Sequence, residues 1–505
     1  MLLSQAFHEA ALKKLSTPAV LDLGVSTSYG DLKKRIGQLS YLYQSELPAN
    51  EPVAMLASNG LAVVQTFFSL SNIGNPVLFL NPKDSDESIV QDLKTLGILT
   101  ILITSDQSSR LENIRRMSGL ALNPVEIEKK KGGEYDPSFM PPPDRPLKDT
   151  DSVLILRQEE YGEERKYVFF PHKKLVAATV SVKRFYRLTA NDRLMTTMNW
   201  SHPFALTHGM LLPLFTGATC AVDPQSPTIE EFIEYLAKER ITRFVGPPKF
   251  YLDLLSRCAA AKYKLPGIKS ITVGLGSLSL ALRKTFKLLN IPILRCYGRT
   301  EAIWSLAMDN IEAGLEIESA KSRPGPGMKF KVLNAEGDEA PGPGPRVGPL
   351  AVMGESLFTA YFHPDKDVAA KATRNKMRGT WFYTGEIARL EGEGDELTVA
   401  VLGKASDMVN SSGEYLSPRP IDEAGKNLPG IVDAAGFVHI GKEGERSLAC
   451  AVVIEQKAIS EPELLTILKE RLPEKNHPSA VFVVEKIPRD EFESVNRLSL
   501  QRQLS

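Results

Sequence analysis

From Met1 to about Val125, compact apolar runs alternate with stretches whose apolar positions recur every three or four residues. DLKKRIGQLSYLYQ, LAVVQTFFSLSNIG and ESIVQDLKTLG carry the helical period, whereas VAMLAS, PVLFL and LTILIT are runs of branched residues that read as buried strands. Strand alternating with helix predicts an α/β fold, a parallel sheet covered on both faces. A polar, proline-rich segment, KKKGGEYDPSFMPPPDRPLK from Lys129 to Lys148, interrupts the pattern. It reads as a surface excursion and not as a domain end, because the alternation resumes at once with SVLIL.

The second α/β stretch runs through LVAATVSVKRFY, NWSHPFALTHGMLLPLF and ATCAV to ITRFVGPPKFYLDLL, then SITVGLGSLSLALRKTFKLLNIPILRCYGRTEA. From about Pro324 the pattern changes to short strands and turns, as in a small β-rich subdomain. The segment after Gly403 reads as a separate α+β module, with GFVHI, SLACAVVI, ELLTILKERL and AVFVV. The first residues, MLLSQAFHEAALKKL, have the period of an amphipathic helix and not the layout of a secretory signal.

Composition narrows the function classes. The 505 residues are 43% hydrophobic and 24% charged, an ordinary globular balance with ample material for more than one domain. Lys+Arg and Asp+Glu are both 61, so no global field favours nucleic acid or an anionic membrane. The four cysteines, Cys220, Cys258, Cys296 and Cys450, are far apart and lack metal-ligand spacing; they read as buried small hydrophobes in a reducing compartment. With no apolar run long enough to span a bilayer, the expected location is the cytoplasm.

One stretch carries most of the chemical question. SVLIL and YVFF, within Ser152 to Leu175, predict two buried strands, and the connection from Arg157 to Arg165 holds Glu159, Glu160, Glu163 and Glu164. Charge runs usually face water, so the residues alone predict a solvated hairpin.

Several motifs, taken in order, resemble the AMP-forming adenylate superfamily of acyl-CoA and aryl-CoA ligases, adenylation domains and luciferases. CYGRTEA at Cys296 to Ala302 resembles the family's aromatic-Gly-x-Thr-Glu motif, and VGLGSL at Val273 to Leu278 sits where the family wraps adenine. TWFYTGEIARL at Thr380 to Leu390 resembles its Trp-Phe-x-Thr-Gly-Asp segment, and LGKASDMVNSSGEYLSP at Leu402 to Pro418 its interdomain joint. The resemblance extends over essentially the whole chain. It implies a two-domain architecture, residues 1–405 as a large N-terminal domain and 406–505 as a small mobile lid.

Residue by residue, the resemblance assigns Thr300 to the AMP phosphate, Glu301 to magnesium and Glu386 to the ribose hydroxyls. Tyr297, Gly298, Gly274, Gly276, Ser277, Lys404 and Gly413 fall on other nucleotide-binding positions, and Trp200 and His202 near the acyl pocket. Two departures stand out. The family's phosphate loop is rich in glycine, serine and threonine, because backbone N–H groups and hydroxyls cradle phosphate. Here it is replaced by the glutamate-bearing connection, which keeps only Gly162 and Lys166 of that chemistry. Like charges ~4 Å apart at an effective dielectric of ~20 repel by ~4 kcal/mol, against the ~8 kcal/mol of a micromolar affinity. The second departure is KIPRDEFESVNRLSLQRQL at Lys486 to Leu504, where the family's catalytic Gly-Lys is Glu493-Ser494. At the joint, where the family has Asp or Lys, stands Ser406, and the neighbouring arginine is Lys404.

The implied function is that of a diverged ligase unable to adenylate a carboxylate alone. It would bind an acyl, CoA or phosphopantetheine group, or a carrier protein, in a biosynthetic pathway. The implied cofactors are AMP or ATP with magnesium, held weakly, and CoA or phosphopantetheine. The rival readings are an active AMP-forming carboxylate–CoA ligase and a structural partner with an empty cleft.

Overall fold

The computed structural model describes the chain except residues 128–145, 159–164, 226–227, 262–266, 276–279, 312–321, 412, 456–459 and 491–493. The expected excursion from Lys129, apart from its last residues, lies outside the described residues.

The chain divides into two compact units, Met1–Met328 with Gly354–Asn375, and Lys329–Met353 with Lys376–Ser505. The expected boundary at residues 405 and 406 therefore falls inside the second unit. The reason is the antiparallel ladder of Arg346–Met353, Trp381–Glu391 and Thr398–Lys404, whose backbone hydrogen bonds hold these segments in one sheet.

The first unit contains two large sheets, and the three strands expected to share a parallel sheet, Val53–Leu56, Val77–Leu80 and Thr100–Ile103, lie together in one of them. In the nine-stranded sheet the order is Arg323–Pro324, Ala307–Ile311, Ile293–Tyr297, Ser270–Val273, Arg243–Gly246, Arg193–Thr196, Thr219–Val222, Pro18–Asp22 and Val25–Ser28. The seven-stranded sheet runs Tyr361–Phe362, Lys166–Pro171, Ser152–Gln158, Val77–Leu80, Val53–Leu56, Thr100–Ile103 and Asn123–Glu126. Central strands pair in parallel, as expected of sheets whose strands bury both faces. Antiparallel strands occupy the edges, including the pair Ser152–Gln158 and Lys166–Pro171. One core cluster, with Phe232, Phe244, Tyr251 and Phe286, packs on the nine-stranded sheet. Another, with Leu56, Leu80, Leu93, Ile101 and Tyr167, packs on the seven-stranded one.

Local sequence explains the helix that steers the hairpin. Ser85 caps Asp86–Leu96 by accepting from the Ser88 N–H, Asp86 and Glu87 complement the positive end of the dipole, and Gly97 closes it in the left-handed region at φ 65°. Its inner face buries Ile89, Val90 and Leu93 and, among them, Asp92. The amphipathic N-terminal segment forms a helix at Leu3–Leu12, with Leu3, Phe7 and Ala11 buried, as its period predicts. Cys220, Cys296 and Cys450 are buried, without disulfide partners.

In the second unit, the β-rich stretch forms a five-stranded sheet around Trp381–Glu391. The C-terminal module has a three-stranded sheet of Ile431–Ile440, Arg446–Ile454 and Val481–Val483, against which Ile421, Leu464 and Leu468 pack. Among the described residues no helix is long and apolar enough to cross a membrane.

Candidate functional site

Strand Ile293–Tyr297 leads into the motif at Tyr297 and Gly298, after which a short 3-10 turn spans Thr300–Ala302. The chain then reverses sharply, with Ile303 and Trp304 both left-handed at φ 48° and 56°. Such a conformation costs a non-glycine residue ~1–2 kcal/mol, so neighbouring structure has to hold it. The Trp304 N–H donates to the Arg299 carbonyl at 3.1 Å, and the Ile303 carbonyl accepts from the Thr207 hydroxyl at 3.0 Å. Gly298 is the residue that lets the loop fold back, because a Cβ there would lie 2.2 Å from the Trp304 Cα.

This turn buries Glu301 completely, at 0% exposure. Its carbonyl accepts from the Phe358 N–H at 2.7 Å, and its Oε1 accepts from the Tyr361 hydroxyl at 2.5 Å. Oε2 accepts no hydrogen bond among the described residues, and the Arg299 Nε lies 3.7 Å from it. An orphaned buried carboxylate oxygen fits the magnesium role that the resemblance gives Glu301. Since the described residues contain no cluster of three acidic, histidine or cysteine side chains, Glu301 would be one protein ligand among water and phosphate oxygens. Lys166, only 6% exposed, places its ammonium 5.3 Å from the centroid of the Tyr361 ring. Thr300, Glu301, Tyr297, Gly298 and Lys166 all lie on the first unit, and Tyr361 links Glu301 to Lys166.

Of the expected solvated hairpin, only Arg157, Gln158 and Arg165 lie among the described residues. Ser152–Gln158 and Lys166–Pro171 extend in antiparallel register as far as Gln158 opposite Lys166. Arg157 and Arg165 turn back onto the helix Asp86–Leu96 and meet Asp92, Arg157 Nη1 at 3.0 Å and Arg165 Nη1 at 2.8 Å, while the Tyr167 hydroxyl donates at 2.6 Å. Arg157 also pairs with Asp84 at 2.8 Å. Both arginines are part-buried and turned toward Asp92, because Asp92 is 1% exposed and its charge requires partners. Glu159, Glu160, Gly162, Glu163 and Glu164 lie outside the described residues, as do Gly276 and Ser277. Gly274 ends the strand Ser270–Val273, where a Cβ would lie 2.9 Å from the Phe204 ring.

His202 sits beside the same turn, and Trp200 precedes it in the chain. The Trp200 N–H donates to Asn59 Oδ1 at 2.9 Å, and its buried indole Nε1 has no partner among the described residues. His202 Nδ1 accepts from the Phe204 N–H at 3.1 Å, and its ring lies 5.5 Å from that of Trp304. Burial pushes the His202 imidazole down to about 3, so it is neutral at ordinary pH.

Three participants carried no recognisable signal in the sequence. Residues Ala205–Leu211 form a π-helix, in which Gly209 allows close approach to Thr196. His208 on this turn lies with Nε2 2.8 Å from the Trp304 carbonyl and Nδ1 2.7 Å from the Tyr186 hydroxyl. A carbonyl only accepts, so Nε2 carries the proton and Nδ1 accepts from Tyr186. Burial holds this ring at about 4, and the Cys296 thiol lies 3.3 Å from Nε2. Arg299 and Tyr361 are the other participants.

Glu386, Lys404, Gly413 and Ser494 belong to the second unit. Glu386 faces Lys404 across paired strands, and the preceding Gly385 is left-handed at φ 80°. Gly413, also left-handed at φ 88°, closes the hairpin of Val409–Ser411 and Glu414–Leu416. The Ser494 N–H donates to Asp490 Oδ1 at 2.8 Å, and the Asp490 N–H donates to the Ser494 carbonyl at 3.0 Å. The arginines of the same motif form ion pairs, Arg489 with Asp433 at 2.7 Å and Arg497 with Asp422 at 2.6 Å.

Residues 164–362, a segment that includes Lys166, Glu301 and Tyr361, match the AMP-binding enzyme family. The chain is 23% identical to the mitochondrial malonate–CoA ligase of Mus musculus over 90% of its length and 82% of the relative's. It is also 23% identical to a feruloyl-CoA synthase of Amycolatopsis sp, over 93% and 92%. Its fold superimposes with a TM-score of 0.81 on ATP-bound MatB from Rhodopseudomonas palustris, at 19% identity and covering 100% of this chain and 99% of that one. For the o-succinylbenzoate CoA synthetase MenE of Bacillus subtilis in complex with AMP the score is 0.79, at 18% identity and 98% of each chain. Residues 164–362 thus carry the match to the AMP-binding enzyme family, and the chain has the mixed α/β two-domain fold of MatB and MenE.

Proposed function

We propose that this acyl-CoA ligase-like chain does not adenylate a carboxylate by itself and acts instead on a preformed thioester. It would hold an acyl, CoA or phosphopantetheine group, free or on a carrier protein. The observation that carries this reading is Ser494, a hydroxyl at the position where the resemblance requires a lysine, in a turn closed by the Asp490 carboxylate. A preorganised cation bridging carboxylate and α-phosphate is the kind of group that supplies much of a transition state's stabilisation, and serine supplies none of that charge.

The nucleotide side is better equipped. Glu301 Oε2 is the oxygen available for magnesium, which when bound would offset phosphate charge; Thr300 is assigned to the AMP phosphate and Glu386 to the ribose. Lys166 adds a buried ammonium beside Glu301 through the Tyr361 ring. That lysine also favours the second reading, an active AMP-forming carboxylate–CoA ligase, and the curated relatives named above are CoA ligases and synthases.

ATP–pyrophosphate exchange across aliphatic and aromatic acids separates the two. We expect no exchange above background, and calorimetry in which ATP with magnesium binds no tighter than AMP. Exchange at ordinary ligase rates would reject the proposal in favour of the active ligase. For repair, Ser494→Lys alone should restore almost nothing, whereas combining it with small polar replacements of Glu159, Glu160, Glu163 and Glu164 should exceed the sum of the two changes. Groups that act as a unit are not restored additively.

A further inference from the structure

Tyr361 occupies a position that neither the motifs nor the comparisons single out for a role. It opens the short strand Tyr361–Phe362, which pairs antiparallel with Val168 and Tyr167 at the edge of the seven-stranded sheet. That pairing places it beside Lys166, and three further contacts fix it. Its N–H donates to Thr373 Oγ1 at 3.1 Å, Phe358 lies 4.7 Å away ring to ring, and the Phe362 ring meets Phe169 at 5.2 Å. The side chain is buried, so the hydroxyl has little freedom.

At 2.5 Å from Glu301 Oε1, that hydroxyl makes a hydrogen bond at the short end of the range for O–H to carboxylate. The Phe358 N–H holds the Glu301 carbonyl from the same segment, at 2.7 Å. Backbone and one carboxylate oxygen are thus both fixed by residues 358–361, which leaves Oε2, 3.7 Å from the Arg299 Nε and without a hydrogen bond among the described residues, as the oxygen facing a cation. On the far side, the Lys166 ammonium rests on the face of the same ring.

We propose that Tyr361 is a positioning residue that aims Glu301 Oε2 at a divalent cation and, through its ring, keeps the Lys166 ammonium next to the phosphate that shares that cation. One aromatic side chain thereby couples the carboxylate and the ammonium. The proposal rests on the nucleotide-binding part of the reading above.

The test is calorimetry of AMP binding to the full chain, with and without magnesium. Tyr361→Phe keeps the ring and removes only the hydroxyl. It should leave magnesium-free AMP affinity within about twofold and cut the tightening by magnesium about tenfold, the scale of a lost hydrogen bond to a charged group. In a Glu301→Gln background the same change should have no further effect, because the group it positions is gone. Should Tyr361→Phe fold poorly, Tyr361→Gln, which can still donate, is compared with Tyr361→Leu, which cannot; the glutamine variant should keep more of the magnesium dependence. Wild-type protein that binds AMP identically with and without magnesium overturns this inference, and failure to bind AMP at all overturns the nucleotide reading with it. Binding by wild type with equal magnesium dependence in Tyr361→Phe, with an undiminished loss in the Glu301→Gln background, or with equal losses in the glutamine and leucine variants overturns the inference alone.

Discussion

Glu301 in the first unit and Ser494 in the second stand in motifs of the same superfamily, and their surroundings differ in what they preserve. At Glu301 the side chain itself is held, with Tyr361 on one oxygen, Phe358 on its carbonyl and Lys166 beside the Tyr361 ring. Around Ser494 it is the flanking arginines that are held, each in an ion pair with an aspartate on the C-terminal module. The difference teaches that residues of one motif can be fixed for separate reasons, some by what they do for the fold and some by contacts to the side chain itself. Arg489 and Arg497 are held by ion pairs to Asp433 and Asp422, whereas Ser494 is held through its backbone N–H to Asp490.

The hairpin preceding Lys166 extends the contrast and predicts the largest effect. Replacing Asp92 by Ala leaves Arg157, Arg165 and Tyr167 without their shared partner, and should lower stability by about 3–5 kcal/mol. Urea denaturation would show it; a loss below about 1 kcal/mol would mean that the arginines find other partners and that the hairpin is not anchored there. Gly298→Ala follows, at about 3 kcal/mol or more, because its Cβ would meet Trp304 backbone. Gly413→Ala is its counterpart in the second unit. There a Cβ meets nothing within 4 Å and only the positive φ is unfavourable, so about 1 kcal/mol is expected.

Acid should act on the first unit through its buried histidines. His172 and His208 are each held at about 4, against 6.5 unperturbed, chiefly by burial. A depressed folded value means that the unfolded chain binds more protons between pH 6.5 and 4, so stability is full above that window and falls as pH drops through it. From pH 7 to pH 5 each histidine should account for about 2 kcal/mol. Denaturation midpoints at the two pH values check this. If His208→Asn leaves the pH dependence unchanged, that ring is not a contributor.

The smallest expected effect is Arg489→Ala, whose partly exposed pair with Asp433 should contribute about 1 kcal/mol or less. Thermal melting of wild type and variant would measure it. A loss as large as that of Asp92→Ala would erase the contrast between a buried charge centre and a half-exposed one.

Period and composition by themselves determined much of the fold. Buried runs separated by helical stretches specify α/β layering because each must hide its apolar face, and the amphipathic period of MLLSQAFHEAALKKL specified the helix it forms. The motif around Glu301 stood out because its consecutive residues fold into one tight local turn. What the sequence could not decide depends on residues that meet only in three dimensions. Asp92 reads as one more polar position on a helix until Arg157, Arg165 and Tyr167 arrive from 65 to 75 residues further along. Division into two sheets depends on long-range strand pairing, which a local alternation does not encode. His208 and Tyr361 carry no local mark, since a histidine or tyrosine gains its role from the partner it faces after folding. Tertiary structure chose those partners because a buried charge or a buried hydrogen-bonding group must be matched inside the core, and that requirement acts on neighbours in space and not on neighbours in the chain.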